Sequence, residues 1–271
     1  MVTLSGRIVR LETDGTGSLQ GMLSLPTGQP EGLAIYVHGT WGNFYGNELG
    51  QALGQTCLDA GWAYLAANFP GHDETAMDET LEDFAPALEE WARHVGVPNR
   101  NVMLIGHSLG ALKVLDFMRR ESQEFSVRGA VLLAPFDCVA FNQRESNLKQ
   151  NAIERLRRNR DEIVNSRVFP HWLLRQGMLA DLIEPSGPWD ILPLRSPETR
   201  PRPLPSSTCP VWAAIGSEDF AAVPDPPTVT ARLRATGLFR EVAFVEGAPH
   251  NFAGRLTEVQ RLLQGWLSSA S

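Results

Sequence analysis

The chain has 271 residues, 43% of them hydrophobic, enough to bury a sizeable core as one large domain or one domain with an insertion. Its formal net charge of −7 argues against general nucleic-acid binding, because displacing phosphate counterions needs a basic face. The N-terminal MVTLSGRIVRLETDG lacks the apolar run and small-residue cleavage site of a signal peptide, and no stretch approaches the ~20 apolar residues of a membrane span, so a cytoplasmic protein without a membrane partner is expected.

In chain order, GRIVRLE and SLQGMLSLP predict two antiparallel strands joined by the turn Asp14-Gly15-Thr16-Gly17. GLAIYVHG is a short apolar strand. A helical pattern runs from about Gly46 to Ala60 and stops at Gly61. WAYLAANFP follows as a strand, then a helix from about Glu79 to Val95, closed by Gly96 and Pro98. NVMLIG is a buried strand and runs into a helix over Ser108–Arg120. VRGAVLLAPF is the next buried strand. Towards the end come the strand PVWAAIG, a helix near Pro227–Thr236, the strand EVAFVEG and a helix from about Phe252 to Leu267.

Two antiparallel strands followed by β-α repeats predict an α/β fold, a mostly parallel sheet with helices on both faces. Residues 137–209 break the alternation. No convincing strand lies between Phe136 and Val211, 139–182 read as two or three helices, and 185–210 hold eight of the nineteen prolines. This predicts a helical cap inserted into a core made of 1–136 and 210–271.

The chemistry gathers at strand ends, where ligands bind in such sheets. NVMLIG leads directly into Gly106-His107-Ser108-Leu109-Gly110 and a helix, the strand–turn–helix setting that G-x-S-x-G requires. The tight turn lifts the Ser108 hydroxyl over the sheet edge, and the helix N-terminus favours negative charge beside it. A carbonyl attacked by serine needs two N–H donors for its oxyanion. One candidate is Leu109; the other is Thr40, with Trp41 next, in the loop Val37-His38-Gly39-Thr40-Trp41-Gly42-Asn43. His38 reads as a loop anchor. After PVWAAIG the candidate acid is Asp219, with Glu218 the nearest rival and Asp225 a further one. Of six histidines, His250 alone lies between the last strand and the last helix.

Serine is a weak nucleophile at neutral pH, so a base must take its proton, and a carboxylate must orient that base. Asn43, Phe44, His107 and Phe220 are candidates for contacting substrate, with packing at the helix start the competing reading for Asn43 and Phe44. His72 and Asp73 read as ties within a loop. The basic residues Arg144, Lys149, Arg155, Arg157, Arg158 and Arg160 read as a solvated helix face, and less readily as a cap that attracts an anion. Cys57, Cys138 and Cys209 are widely spaced with no C-x-x-C pair. No His/Cys/Asp/Glu group shows ligand spacing, so no metal or other cofactor is expected.

The serine elbow, the histidine–glycine loop, Asp219 and His250 together resemble the α/β-hydrolase superfamily in order and position, over nearly the whole chain outside the insertion. Asn68-Phe69-Pro70-Gly71-His72-Asp73 resembles the loop after the fourth strand, often R-G-H-G there, with Pro70 in the arginine's place. HGTWGNFY with GHD is similar to a bacterial subgroup of these hydrolases. The resemblance implies a serine hydrolase acting on an ester, thioester or lactone of a small-molecule acyl substrate. The alternative is acyl transfer, cyclisation or elimination with the same three residues.

Overall fold

The structure, a computed structural model, describes residues 4–13, 17–40, 42–72, 77–96, 101–120, 125–146, 154, 156–165, 173–196, 198, 201, 204–205 and 209–270. Strands β1 (Arg7–Thr13) and β2 (Gly17–Ser24) pair antiparallel, with Arg7 opposite Leu23. Their predicted turn at Asp14-Gly15-Thr16 lies outside the described residues. Then come β3 (Leu33–Val37), α1 (Glu48–Asp59), β4 (Ala63–Ala67), α2 (Leu81–Val95), β5 (Asn101–His107), α3 (Leu109–Phe117) and β6 (Ser126–Leu133). After an insert, β9 (Val211–Glu218), α6 (Pro226–Ala235), β10 (Glu241–Pro249) and α7 (Leu256–Ala270) complete the chain. The strand order is β1-β2-β4-β3-β5-β6-β9-β10, and every pairing from β4 to β10 is parallel.

The period-2 geometry of a strand explains why β3 and β5 are apolar throughout. Leu33, Ile35, Val37, Val102 and Leu104 face one core with α2, α3 and α6. Ala34, Tyr36, Met103 and Ile105 face the other with α1 and α7. Helix ends follow local chemistry. The Asn47 side chain accepts from Gly50 N to start α1, and Thr80 accepts from Asp83 N to start α2. No helix among the described residues is long and apolar enough to cross a membrane.

The insert between β6 and β9 corrects one expectation. Besides α4 (Cys138–Ser146) and α5 (Gln176–Ile183), it contains an antiparallel pair, β7 (Ile163–Asn165) and β8 (Leu173–Arg175). These strands have three residues each, too few to show alternation in the sequence. β8 also meets the core chain, since Met77 N donates to Leu173 O and Arg175 N to Met77 O, each at 3.0 Å. At the other end, buried Asp137 accepts from Arg195 N at 2.7 Å, and Arg195 also pairs with Asp190 at 2.5 Å. The insert is thereby joined to the core through β8, and its entry is tied to its return by Asp137 and Arg195.

Candidate active site

Val37, His107, Glu218 and Pro249 end β3, β5, β9 and β10, so residues 38–40, 108, 219 and 250 emerge together at one edge of the sheet. Ser108 has φ 57° and ψ −123°, a conformation costly for a non-glycine residue. The neighbouring glycines are required by close approach. A Cβ on Gly106 would lie 2.5 Å from Gly110 O, and one on Gly110 would lie 2.1 Å from Val37 O. Gly39 packs onto the serine itself, where a Cβ would come within 2.7 Å of Ser108 Cβ.

The structure brings Ser108, His250 and Asp219 into one chain. His250 Nε2 lies 2.8 Å from Ser108 Oγ, and His250 Nδ1 donates to Asp219 Oδ1 at 2.7 Å. The Asp219 carboxylate is buried, and its Oδ1 also accepts from Ala221 N at 2.9 Å. With Nδ1 protonated by that geometry, Nε2 of a neutral imidazole faces the serine hydroxyl as acceptor. The rivals are elsewhere. Glu218 is exposed, and Asp225 caps α6 through Thr228 N and Thr228 Oγ1.

Thr40 and Leu109 both line the cavity above Ser108, which has a volume of about 440 Å³. Trp41, the other oxyanion candidate, lies outside the described residues, as do Asp73, Lys149, Arg155 and His171. Asn43 lines the cavity, but its Oδ1 is engaged by Tyr45 N at 3.0 Å and Gly46 N at 2.5 Å. Phe44 is a correction. It is buried in the core beside α1 and α7, with its N–H donating to Asn68 Oδ1, and does not reach the cavity. Phe220 and His107 do line it.

His107 has a further bond. Its Nε2 donates to the backbone carbonyl of His250 at 2.9 Å. Burial, and then the nearby His250, push the His107 pKa down to about 4, so this imidazole is neutral near neutrality.

A second cluster is the other departure from expectation. His38, after β3, and His72 and Glu79, both in the connection between β4 and α2, present ligand-type atoms within 4.8 Å of one another. No sequence spacing announces them. His38 Nδ1 donates to Gly39 O, leaving Nε2 with no partner among the described residues. His72 Nδ1 donates to Glu79 Oε1 at 3.1 Å. By donor type alone, two imidazoles and a carboxylate match a divalent-cation cradle. However, Lys113 Nζ stands 2.5 Å from Glu79 Oε2, and both side chains are buried. An added dication would leave about two uncompensated charges in a dry site, so the donor set fits a metal poorly. Burial acts to raise the Glu79 pKa, but Lys113 and the His72 hydrogen bond outweigh it and hold the carboxyl near 2. Burial, then His72 and Lys113, push His38 down to about 3. The Glu79–Lys113 pair ties the loop between β4 and α2 to helix α3, and the His38 ring packs against His72 with centroids 4.2 Å apart.

Sequence reasoning missed Lys113 and Glu79, although a lone lysine inside LGALKVL is a signal of a buried, paired charge. It also missed Phe136, Phe141, Leu174 and Leu182, which wall the cavity from β6's end and from the insert. None of the basic residues described between Arg144 and Arg160 lines it. Arg144 pairs with Glu145, Arg157 with Glu184 and Arg160 with Asp181.

The profile of the alpha/beta hydrolase family matches residues 34–262. No curated protein sequence matches the chain. Among solved structures, ferulic acid-bound Est1E from Butyrivibrio proteoclasticus superposes with a TM-score of 0.71 at 16% identity, covering 97% of this chain and 98% of that one. A monoglyceride lipase variant from Saccharomyces cerevisiae, bound to a substrate analogue, gives 0.71 at 14% identity, covering 99% and 97%. A thermostable carboxyl esterase from Bacillus coagulans gives 0.70 at 13%, covering 99% of both chains. Identities this low speak for the fold alone.

Proposed function

Because the chain belongs to the α/β-hydrolase family, we propose that it is a serine hydrolase that cleaves a carboxylic ester, thioester or lactone through an acyl-enzyme on Ser108. One observation carries the proposal: the hydrogen-bonded chain from Ser108 Oγ through His250 to buried Asp219, at 2.8 and 2.7 Å. The esterases and lipase that share the fold lend the ester reading secondary support.

The steps follow from proton chemistry. Ser108 Oγ attacks the carbonyl carbon as its proton passes to His250 Nε2. The carbonyl oxygen becomes an alkoxide beside the N–H groups assigned to Leu109 and Thr40, each worth on the order of 3 kcal/mol. Asp219 stabilises the imidazolium and fixes its tautomer. As the C–O or C–S bond to the leaving group breaks, His250 returns the proton to that atom. Water then attacks the acyl-enzyme with His250 again as base, releasing the acid and restoring the serine. No step calls for a Lewis acid.

We read residues 137–209 as a cap. Phe141 and Asn142 of α4, Leu174 of β8 and Leu182 of α5 border the cavity, so the insert bears on what enters more than on the proton relay. The test is hydrolysis of p-nitrophenyl esters of increasing acyl length by the native protein and by Ser108→Ala. Turnover by the native protein that disappears in the variant supports the reading. Equal turnover by both would refute it.

A further inference from the structure

We infer that selectivity lies on the alcohol side of the substrate: the site takes an uncharged ester whose leaving group carries an aromatic ring. This rests on the acyl-enzyme reading above. The leaving oxygen must receive its proton from His250 Nε2, within about 2.6–3.2 Å. Whatever that oxygen bears must therefore sit beside the His250 imidazole.

That neighbourhood is aromatic. The Phe220 ring centroid is 4.9 Å from the His250 centroid, and the Phe136 ring is 6.2 Å away, edge-on. Phe141 closes the group, 5.5 Å from Phe136 and 5.8 Å from Phe220. A ring entering here meets the aromatic side chains of Phe136, Phe141 and Phe220 on the cavity wall, and aromatic pairs favour edge and tilted contacts. Phe220 lines the cavity yet is 49% exposed, so apolar surface remains for a ligand to cover. The rest of the lining differs. The stretch from Gly39 to Asn47 contributes glycines and amides, which suit a small or polar acyl part.

Charge points the same way. The one residue with a formal charge at neutral pH among the described lining residues is the carboxylate Glu48. The nearby cation Arg144 lies 5.5 Å over the Phe141 ring, pairs with Glu145 and donates to Phe220 O at 2.7 Å. Its contacts brace the aromatic wall, and no lysine or arginine among the described residues lines the cavity, which disfavours an anionic substrate.

The experiment compares kcat/KM for ethyl acetate, benzyl acetate and ethyl phenylacetate, with fluorophosphonate labelling of Ser108 run in parallel. Benzyl alcohol and ethanol are similar leaving groups, so the benzyl-to-ethyl ratio reports contact. Native protein should prefer benzyl acetate over ethyl acetate by about 10-fold and show no such gain for ethyl phenylacetate. Phe220→Leu should lower the benzyl-to-ethyl ratio about 2–10-fold, and Phe141→Leu should do the same. The ratio does not depend on the fraction of folded protein. A preference for ethyl phenylacetate, a ratio unmoved by both variants, or labelled protein that turns over none of the three esters would overturn the inference. Absence of labelling at Ser108 would instead bring down the acyl-enzyme reading on which it rests.

Discussion

The imidazole of His107 holds the main chain of His250: its Nε2 donates to the His250 carbonyl at 2.9 Å, across 143 positions of sequence. The residue preceding the serine is therefore bonded to the residue that faces the serine's hydroxyl. A carbonyl can only accept, so His107 carries its proton on Nε2.

His107→Phe should misplace that loop and leave a carbonyl unpaired in a part-buried setting, at a cost of about 1–3 kcal/mol. We expect kcat to fall about 10-fold or more with KM changed less, and His107→Gln, which keeps a donor, to recover part of the loss. Steady-state kinetics on a p-nitrophenyl ester decides it. A Phe variant with native kcat would show that the bond positions nothing.

Asp219 and Asp225 are both carboxylates beside β9, but they have separate duties. Asp219→Asn should reduce kcat by roughly 10³–10⁴-fold, since the imidazole then loses its tautomer and its counter-charge. Asp225→Ala should cost about 1 kcal/mol of stability as a lost helix cap, with kcat close to native. Parallel activity and urea-denaturation measurements separate the two. Comparable losses of kcat would undo the assignment of Asp219.

The buried histidines set an acid limit on stability. His107 and His38 have native pKa values pushed from 6.5 to about 4 and about 3. Between those values and 6.5 the unfolded chain binds more protons, so stability falls as pH drops through that window. Each histidine contributes a slope of up to about 1.4 kcal/mol per pH unit. Glu79, depressed from 4.5 to about 2, gives full stabilisation above 4.5 and loses it as pH falls towards 2. Denaturation midpoints measured from pH 7 to 4 should decline, and His107→Gln should flatten the decline. An unchanged profile in that variant would contradict the buried neutral state.

Lys113 and Glu79 form a buried ion pair. Lys113→Met should cost about 3–5 kcal/mol by stranding the carboxylate, and adding Glu79→Gln should recover much of it. Because Lys113 already balances the cluster, zinc should not raise the melting temperature of the native protein, and EDTA should leave its activity intact. A zinc-induced stabilisation would show that His38, His72 and Glu79 ligate a cation despite Lys113.

The sequence made the sheet legible because both faces of β3 and β5 are buried and their residues are apolar without a break. The elbow was legible because Gly106 and Gly110 are demanded by backbone contacts that no side chain tolerates. Asp219 and His250 stood out as residues following the last two strands, with Glu218 and Asp225 as rivals for the acid that only the hydrogen bond to His250 separates. Other features depend on segments far apart in the chain. Glu79 and Lys113 meet only once α3 packs near the entry to α2. The β7–β8 pair is too short for a period, and its register is held partly by Met77 from the core. Phe44 sits beside cavity residues in sequence, yet its ring turns into the core. Aromatic character alone could not distinguish it from Phe220.

The most direct test of the central claim is intact-mass spectrometry after exposure to a fluorophosphonate, with peptide mapping of the product. The account expects one adduct per native chain, mapped to Ser108, no adduct in Ser108→Ala, and much slower labelling in His250→Ala. An adduct on another residue, or undiminished labelling of Ser108→Ala, would contradict it.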